Sequence, residues 1–445
     1  MHDGIIIAGT QSSSGKTLLN ALLLCALSER GIALQPFKAG PDYIDTAYSA
    51  HFAGKPAYNL DFWLMGKDGI RATAQRHTST ARGVVEGVMG LIDGVSPYTS
   101  EGSTLHLAQL LGWPVLLVVP AAKQGRSLRA TINGFLAEAD GQVAGIILNQ
   151  VSGASHADYL RRALHDLAVP IVGAVPKLPQ FAWPERHLGL QARQEFQLRE
   201  RPAFAAAAEA HLDVDAILQL FRPGSVADAT PWAESVEPFG EGRRLAIAQD
   251  EAFHFYYEEN LTALKGWGFE LMPFSPLHDA RLPGGVDGVI LGGGFPEVYA
   301  EALEANRSMR EALATEIQQG LPCYAECGGF MYLTEGIVQQ GGEFHAMTGV
   351  VPGRVHMGDR LKNFGYSWCH RPEDGASFRA HEFHYSDWDA AETHANLWTV
   401  SKPSRQTERT EGYGLPHLHA SYLHLYFPTA ALLFRRLFGR KEACV

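Results

Sequence analysis

Cysteine is scarce in this chain: five residues among 445, at positions 25, 323, 327, 369 and 444. So few thiols over such a length do not form a disulfide framework, which points to a reducing compartment. Long hydrophobic runs are lacking too. The longest, such as ALLLCAL at 21–27, fall far short of the roughly 20 apolar residues that span a bilayer. No basic stretch precedes the first apolar run, and Cys444 is not placed for C-terminal lipidation. Neither a secretory leader nor a membrane partner is therefore expected, and the chain reads as cytoplasmic. Basic charge is in deficit: 37 Lys and Arg against 48 Asp and Glu give a formal net charge of −11. That argues against a nucleic-acid partner held through phosphates. It still allows an anionic small molecule, because a local cluster of cations dominates within about 10 Å.

What the chain does have is alternation. GIIIAG (4–9) reads as a strand, and Lys16 to Arg30 as a helix with leucines at 18, 19, 22, 23 and 27. IALQPF, GVVEGVMG, PVLLVV, VAGIILN and VPIVGAV are further buried-strand candidates between helical stretches, the signature of βαβ units and a mainly parallel sheet. The stretch 221–244 is rich in Pro, Gly, Ser and acids, lacks a period and reads as a linker. A second α/β alternation follows through RLAIAQD, FELMPF, VDGVILGGG and LPCYAE, and after about 345 gives way to strand-like runs with scattered histidines and aromatics. The expectation is an α/β chain of two domains, 1–222 and 243–445, joined by a linker at 223–242.

GTQSSSGKT (9–17) resembles a phosphate-binding loop, yet Thr10 stands where the usual pattern has glycine, which sits one residue earlier at Gly9. A glycine-rich turn between strand and helix lets backbone N–H groups converge on phosphate oxygens. Gly9, Thr10 and Gly15 are assigned to that cradle, Lys16 to the terminal phosphates of ATP and the Thr17 hydroxyl to Mg²⁺. A plain polar turn is the bland alternative. KAGPDYID (38–45) places Asp42 and Asp45 about a Gly-Pro turn, and VVEGVMGLIDG adds Glu86 and Asp93. Carboxylates at the C-terminal ends of parallel strands face the ligand crevice. Asp42 and Glu86 are assigned with Thr17 to the metal, and Lys38, Asp42, Tyr43, Asp45 and Asp93 to substrate and phosphoryl transfer. Each acid alone reads equally as a turn or cap residue.

LPCYAECGGFMYL (321–333) runs from an apolar strand through Cys327 into two glycines and a helical pattern. A nucleophile on a strained strand-to-helix turn needs small neighbours, and a helix N-terminus favours the thiolate. Gly328 offers one oxyanion donor, and Gly293 and Gly294 of the turn LGGGFPE are candidates for another. Cys25 and Cys323 read as core residues. The base is sought in PHLHASYLHLYF (416–427), where His424 is chosen; His417 and His419 read as surface or packing residues.

The first-half motifs, with ERHLGL (185–190), resemble the N-terminal domain of the cobyrinate a,c-diamide synthase family, itself similar to dethiobiotin synthetase, whose phosphate loop has the same spacing. AIAQDEAFHFYYEENL, FSPLHD, LGGGFPEVYAEAL, AECGGFMYL, HEFHYS and ASYLHLYF resemble the class I glutamine amidotransferase domain as it occurs in that family and in cobyric acid synthase. The resemblance implies a P-loop NTPase-type sheet followed by an amidotransferase α/β domain. It implies ATP with Mg²⁺, glutamine, and cobyrinic or hydrogenobyrinic acid as substrates, with a contact from Asn149 to adenine. Such a polycarboxylate needs local cations: Lys177, Arg186, His187 and Arg193 are candidates, with Arg186 and His187 preferred because ERHLGL lies in a turn beside the last strand expected in the first domain, whereas Lys177 and Arg193 read equally as a solvated face. It leaves a homodimer open. Triad amidotransferases usually carry Glu two residues after the histidine; here that position is Tyr426, so a Cys327–His424 dyad or an unidentified third member remains open. Amidation of the other corrin side chains, a nickel sirohydrochlorin substrate, and a regulatory P-loop ATPase with a degenerate amidotransferase module are the alternatives.

Overall fold

The computed structural model describes residues 3–181, 201–224, 236–389, 396–403 and 405–439. The chain divides into two compact units near residue 231.

In the first unit the apolar runs form strands β1 (Asp3–Gly9), β2 (Leu34–Ala39), β3 (Tyr58–Leu60), β4 (Arg82–Gly90), β5 (Val115–Pro120), β6 (Val143–Val151) and β7 (Ile171–Pro176). They lie in the order β3-β2-β4-β1-β5-β6-β7, and each pairing is parallel. A parallel sheet is covered on both faces, so its strands carry continuous rather than alternating hydrophobicity; Ile5, Ile6 and Ile7 are all fully buried. Helix α1 (Lys16–Glu29) lies in the same core through Leu19, Leu22, Leu24 and Leu27. Trp113 explains two glycines: a Cβ on Gly4 or Gly83 would approach its indole to 2.3 or 2.5 Å. A two-residue strand, β8 (Arg222–Pro223), pairs antiparallel with β1, so Pro223, the first residue of the expected linker, is still part of this sheet.

The second unit is built on β9 (Arg244–Ala248), β11 (Glu270–Phe274), β12 (Gly288–Leu291) and β14 (Cys323–Glu326). Their order is β11-β9-β12-β14, continued by Leu418–Ser421 in parallel and then by Tyr413–Leu415. A short ribbon of β10 (Phe253–Phe255) and β13 (Gly293–Gly294) lies outside that sheet. The strand-like run after 345 folds largely into an antiparallel sheet in which Ser377–His384 pairs with Asn363–His370 and with His424–Leu425. Trp267, Phe427, Phe434 and Phe438 fill one core of the unit. Burial of side chains of this size contributes about 1.5–3 kcal/mol each. Among the described residues no helix is long and apolar enough to cross a membrane.

Candidate active site

Two groups of side chains stand out, one in each unit. The first lies at the C-terminal ends of β1, β2 and β4. The loop after β1 turns back on itself with Ser13 at φ 58° and Gly15 at φ 94°. A Cβ on Gly9 would lie 2.0 Å from Ser14 Oγ, so the displaced glycine is the one this loop requires. Asn149, at the end of β6, donates through Nδ2 to the Ser14 carbonyl at 2.8 Å and accepts from the Gln150 N–H at 2.9 Å. It braces the loop from within. Lys16 Nζ donates to the Gln11 and Met89 carbonyls at 3.2 and 2.6 Å. Burial, then the neighbouring Lys38 charge, lowers its pKa.

The parallel register of β2 with β4 sets Lys38 opposite Glu86. Lys38 Nζ donates to Glu86 Oε1 at 3.1 Å, to Asp45 Oδ2 at 2.8 Å and to the Gly87 carbonyl at 3.2 Å. Glu86 is fully buried and also accepts from Thr17 Oγ1 at 2.7 Å and Asn20 Nδ2 at 3.3 Å. Burial works against the Lys38 charge, but Asp45 and Glu86 outweigh it and raise its pKa. Burial pushes the Glu86 carboxyl up to about 7 against the pull of Lys38.

Asp42 and Asp45 do not flank the Gly40–Pro41 turn; both follow it. Asp42 Oδ1 accepts the Asp45 N–H at 2.8 Å, and Asp45 lies in the first turn of α2 (Ile44–Ala53), with Tyr43 at its N-cap. The helix, not the turn, sets the acid against Lys38. Asp93 accepts the Gly90 N–H at 2.8 Å, while the Leu91 N–H reaches the Gly9 carbonyl, tying the end of β4 to the loop. Arg186 and His187 lie outside the described residues.

Among the described residues no group of three His, Cys, Asp or Glu could hold a metal alone. Thr17 and Glu86 nonetheless offer adjacent hard oxygens, the Thr17 hydroxyl lying 2.7 Å from Glu86 Oε1. That donor set fits Mg²⁺ arriving with phosphate oxygens, not an all-protein cage.

The second group surrounds Cys327, between β14 and the short helix Gly328–Leu333. Its backbone sits at φ 49°, ψ −107°, a conformation costly for a residue with a Cβ. Its N–H is anchored on the Ser421 carbonyl at 2.8 Å. The neighbours must be small: a Cβ on Gly328 would lie 2.9 Å from both Gly294 N and Pro296 Cδ, and one on Gly329 2.3 Å from the Leu291 carbonyl. A Cβ on Gly293 would lie 2.6 Å from His424 Cε1. The expected glycines thus come together around the thiol.

His424 is buried, is coupled electrostatically to Cys327 and places Nδ1 3.1 Å from Glu326 Oε1. Glu326 Oε2 accepts from the Tyr324 hydroxyl at 2.8 Å. Burial alone would depress the imidazole pKa; the Cys327 and Glu326 charges overcome it and push it up to about 10. His381, opposite His424 across the strand pair, has its ring 5.0 Å away. Burial, then the His424 charge, holds His381 well below the ordinary histidine range. Sequence reasoning missed Glu326; the available signal was an acid within an apolar strand, which needs a buried partner. Tyr426 is buried at the N-cap of the short helical turn Phe427–Ala430. His419 is packing, stacked on Tyr324 at 4.7 Å. Cys25 and Cys323 are core residues, and burial pushes the Cys25 thiol up to about 11.

This geometry agrees with what the sequence matches. Residues 5–190 match the CobQ/CobB/MinD/ParA nucleotide binding domain, and residues 244–431 the CobB/CobQ-like glutamine amidotransferase domain. The two together define a class: an ATP-dependent amidoligase that draws its nitrogen from glutamine. Three relatives narrow it, each named cobyrinate a,c-diamide synthase. That of Syntrophotalea carbinolica is 41% identical, covering 97% of each chain. That of Salmonella typhimurium is 39% identical over 96% of this chain and 95% of its own. That of Synechocystis is 37% identical over 95% and 90%. The chain belongs to the cobyrinate a,c-diamide synthase family.

Proposed function

We propose that the chain converts the a and c side-chain carboxylates of cobyrinic acid, or of hydrogenobyrinic acid, to amides, using ATP and glutamine. The observation that carries this reading is the buried Cys327–His424–Glu326 constellation on a strained turn, in a chain that also carries a phosphate loop backed by Lys38 and Glu86.

A carboxylate resists ammonia because its carbon is a poor electrophile and oxide a poor leaving group. Attack of a substrate carboxylate oxygen on the γ-phosphorus of ATP expels ADP and leaves an acyl phosphate. Lys16, Lys38 and the loop N–H groups orient the phosphates and offset their charge. Mg²⁺ held by Thr17 and Glu86 would neutralise phosphate charge further. Asn149 belongs to the ATP site as a brace of the loop, with the adenine contact implied by family likeness.

Nitrogen comes from the second unit. The Cys327 thiolate adds to the glutamine amide carbon, and the Gly293–Gly294 turn with Gly328 faces the developing oxyanion. The His424 imidazolium protonates the departing nitrogen, releasing ammonia and leaving a glutamyl thioester. His424 then takes a proton from water, which cleaves the thioester to glutamate and restores the thiol. Ammonia adds to the acyl phosphate, phosphate leaves, and a proton is lost to give the amide.

The test is mass spectrometry of either corrinoid acid after incubation with the protein, MgATP and glutamine. Each conversion lowers the product mass by ~1 Da, because OH becomes NH₂ while the ATP-derived phosphate departs. Two steps at the a and c positions are expected; no mass change with either acid would sink the reading.

A further inference from the structure

The turn that carries the expected oxyanion glycines ends in an acid that the chemistry so far leaves idle. Glu297 follows Gly292, Gly293, Gly294, Phe295 and Pro296. The turn is fixed in place. Phe295 packs edge-on against Phe255 at 4.7 Å and His254 at 5.6 Å, its N–H is held by the Ala252 carbonyl, and Gln339 Nε2 donates to the Glu297 carbonyl at 2.6 Å. Pro296, one residue before the acid, lies against Gly328, the residue after the nucleophile. The Glu297 backbone therefore follows a residue packed against the one after the nucleophile, and among the described residues its carboxyl makes no ion pair and hydrogen-bonds its own backbone N–H. It is partly exposed but crowded by protein, and burial pushes it up to about 7.

A carboxyl held in a crowded site without a cation is a group awaiting one. Glutamine supplies it: when the side-chain amide sits at Cys327, the α-ammonium trails away from the thiol. We propose that Glu297 receives the α-ammonium of glutamine and so selects a free amino acid over other primary amides. This rests on the glutaminase reading of Cys327. A site that pairs a carboxylate with an ammonium rejects analogues that leave it unpaired more sharply than an apolar pocket rejects a missing methylene.

The test compares wild type and Glu297→Gln with two nitrogen donors, glutamine and glutaramate, which is glutamine without its α-amino group. Glu297→Gln should raise the glutamine KM by roughly ten- to a hundredfold, the loss of one hydrogen bond to a charged group, with kcat little changed. The preference of wild type for glutamine over glutaramate should collapse toward parity. Ammonia-dependent amidation should be unaltered, which shows that the variant is folded. An unchanged glutamine KM with unchanged preference would overturn the assignment alone. A wild-type protein that hydrolyses neither donor would overturn the glutaminase reading and this assignment with it.

Discussion

His424 Nδ1 lies 3.1 Å from Oε1 of Glu326, the residue immediately before the cysteine that the histidine serves. The pair spans 98 positions of sequence and closes because β14 and Leu418–Ser421 lie side by side, with Glu326 in register with Ser421. On the proposed glutaminase reading, Glu326 would orient His424 in place of the acid expected after the histidine. Glu326→Gln should cut glutaminase kcat roughly a hundred- to ten-thousandfold. A structural role alone would not move the pH profile. Because the Glu326 charge helps hold His424 at about 10, its removal should shift the alkaline limb of kcat/KM to lower pH. Glutaminase assays across pH, with ammonia-dependent amidation as the folding control, check both.

Cys327 itself makes a sharper separation. Cys327→Ser keeps the shape of the turn but places a poor nucleophile where φ is 49°. Glutamine-dependent product should vanish while ammonia-dependent product persists at the wild-type rate. Loss of both activities would mean that the residue holds the unit together instead of attacking the amide.

In the first unit, Lys16 is the cation of the loop, and burial with Lys38 nearby makes its charge costly until an anion arrives. Lys16→Ala should abolish amidation from either nitrogen source, with ATP turnover reduced at least a hundredfold, since phosphoryl charge is left unbalanced. Glutamine hydrolysis should survive in part, because the Cys327 constellation is complete without Lys16. Phosphate-release and glutamate-release assays on the same preparation read the two outcomes.

What the sequence disclosed and what it hid follow one physical division. Local patterns were legible: the apolar runs of β1, β4, β5 and β6, the loop at 9–17, and a cysteine followed by two glycines. Each depends on neighbours within a few residues. The pairings were not. That Lys38 meets Glu86 depends on the register of β2 with β4, and that His381 faces His424 depends on an antiparallel register elsewhere in the chain. Asp45 was misplaced for a subtler reason: the helix begins at Ile44, with the Asp45 N–H held by the Asp42 carboxylate, so a stretch read as a turn already contains the first helical turn.

His419 provides a test of stability independent of catalysis. Its imidazole is buried between Tyr324 and Trp398, and neither ring nitrogen has a hydrogen-bond partner among the described residues. Burial, then the Arg371 charge, lowers its pKa to about 3. The unfolded chain protonates this histidine near its ordinary value of 6.5. Between those values the unfolded state binds the extra proton, so stability falls as the pH drops through 6.5 toward 3. Each full unit in that window costs up to ~1.4 kcal/mol from this one group. His419→Phe keeps an aromatic ring for the stack and removes both unpaired nitrogens. It should gain about 1–3 kcal/mol near neutral pH, the desolvation penalty of orphaned polar groups. Urea unfolding at pH 7.5 and about 5 checks the two effects separately, since the variant should also lose part of the acid sensitivity. If the phenyl ring proves slightly large for the site, the gain at neutral pH shrinks while the flatter pH dependence persists. Equal pH slopes in both proteins would show that the imidazole reaches solvent or a proton acceptor, and would refute its assignment as a neutral packing residue.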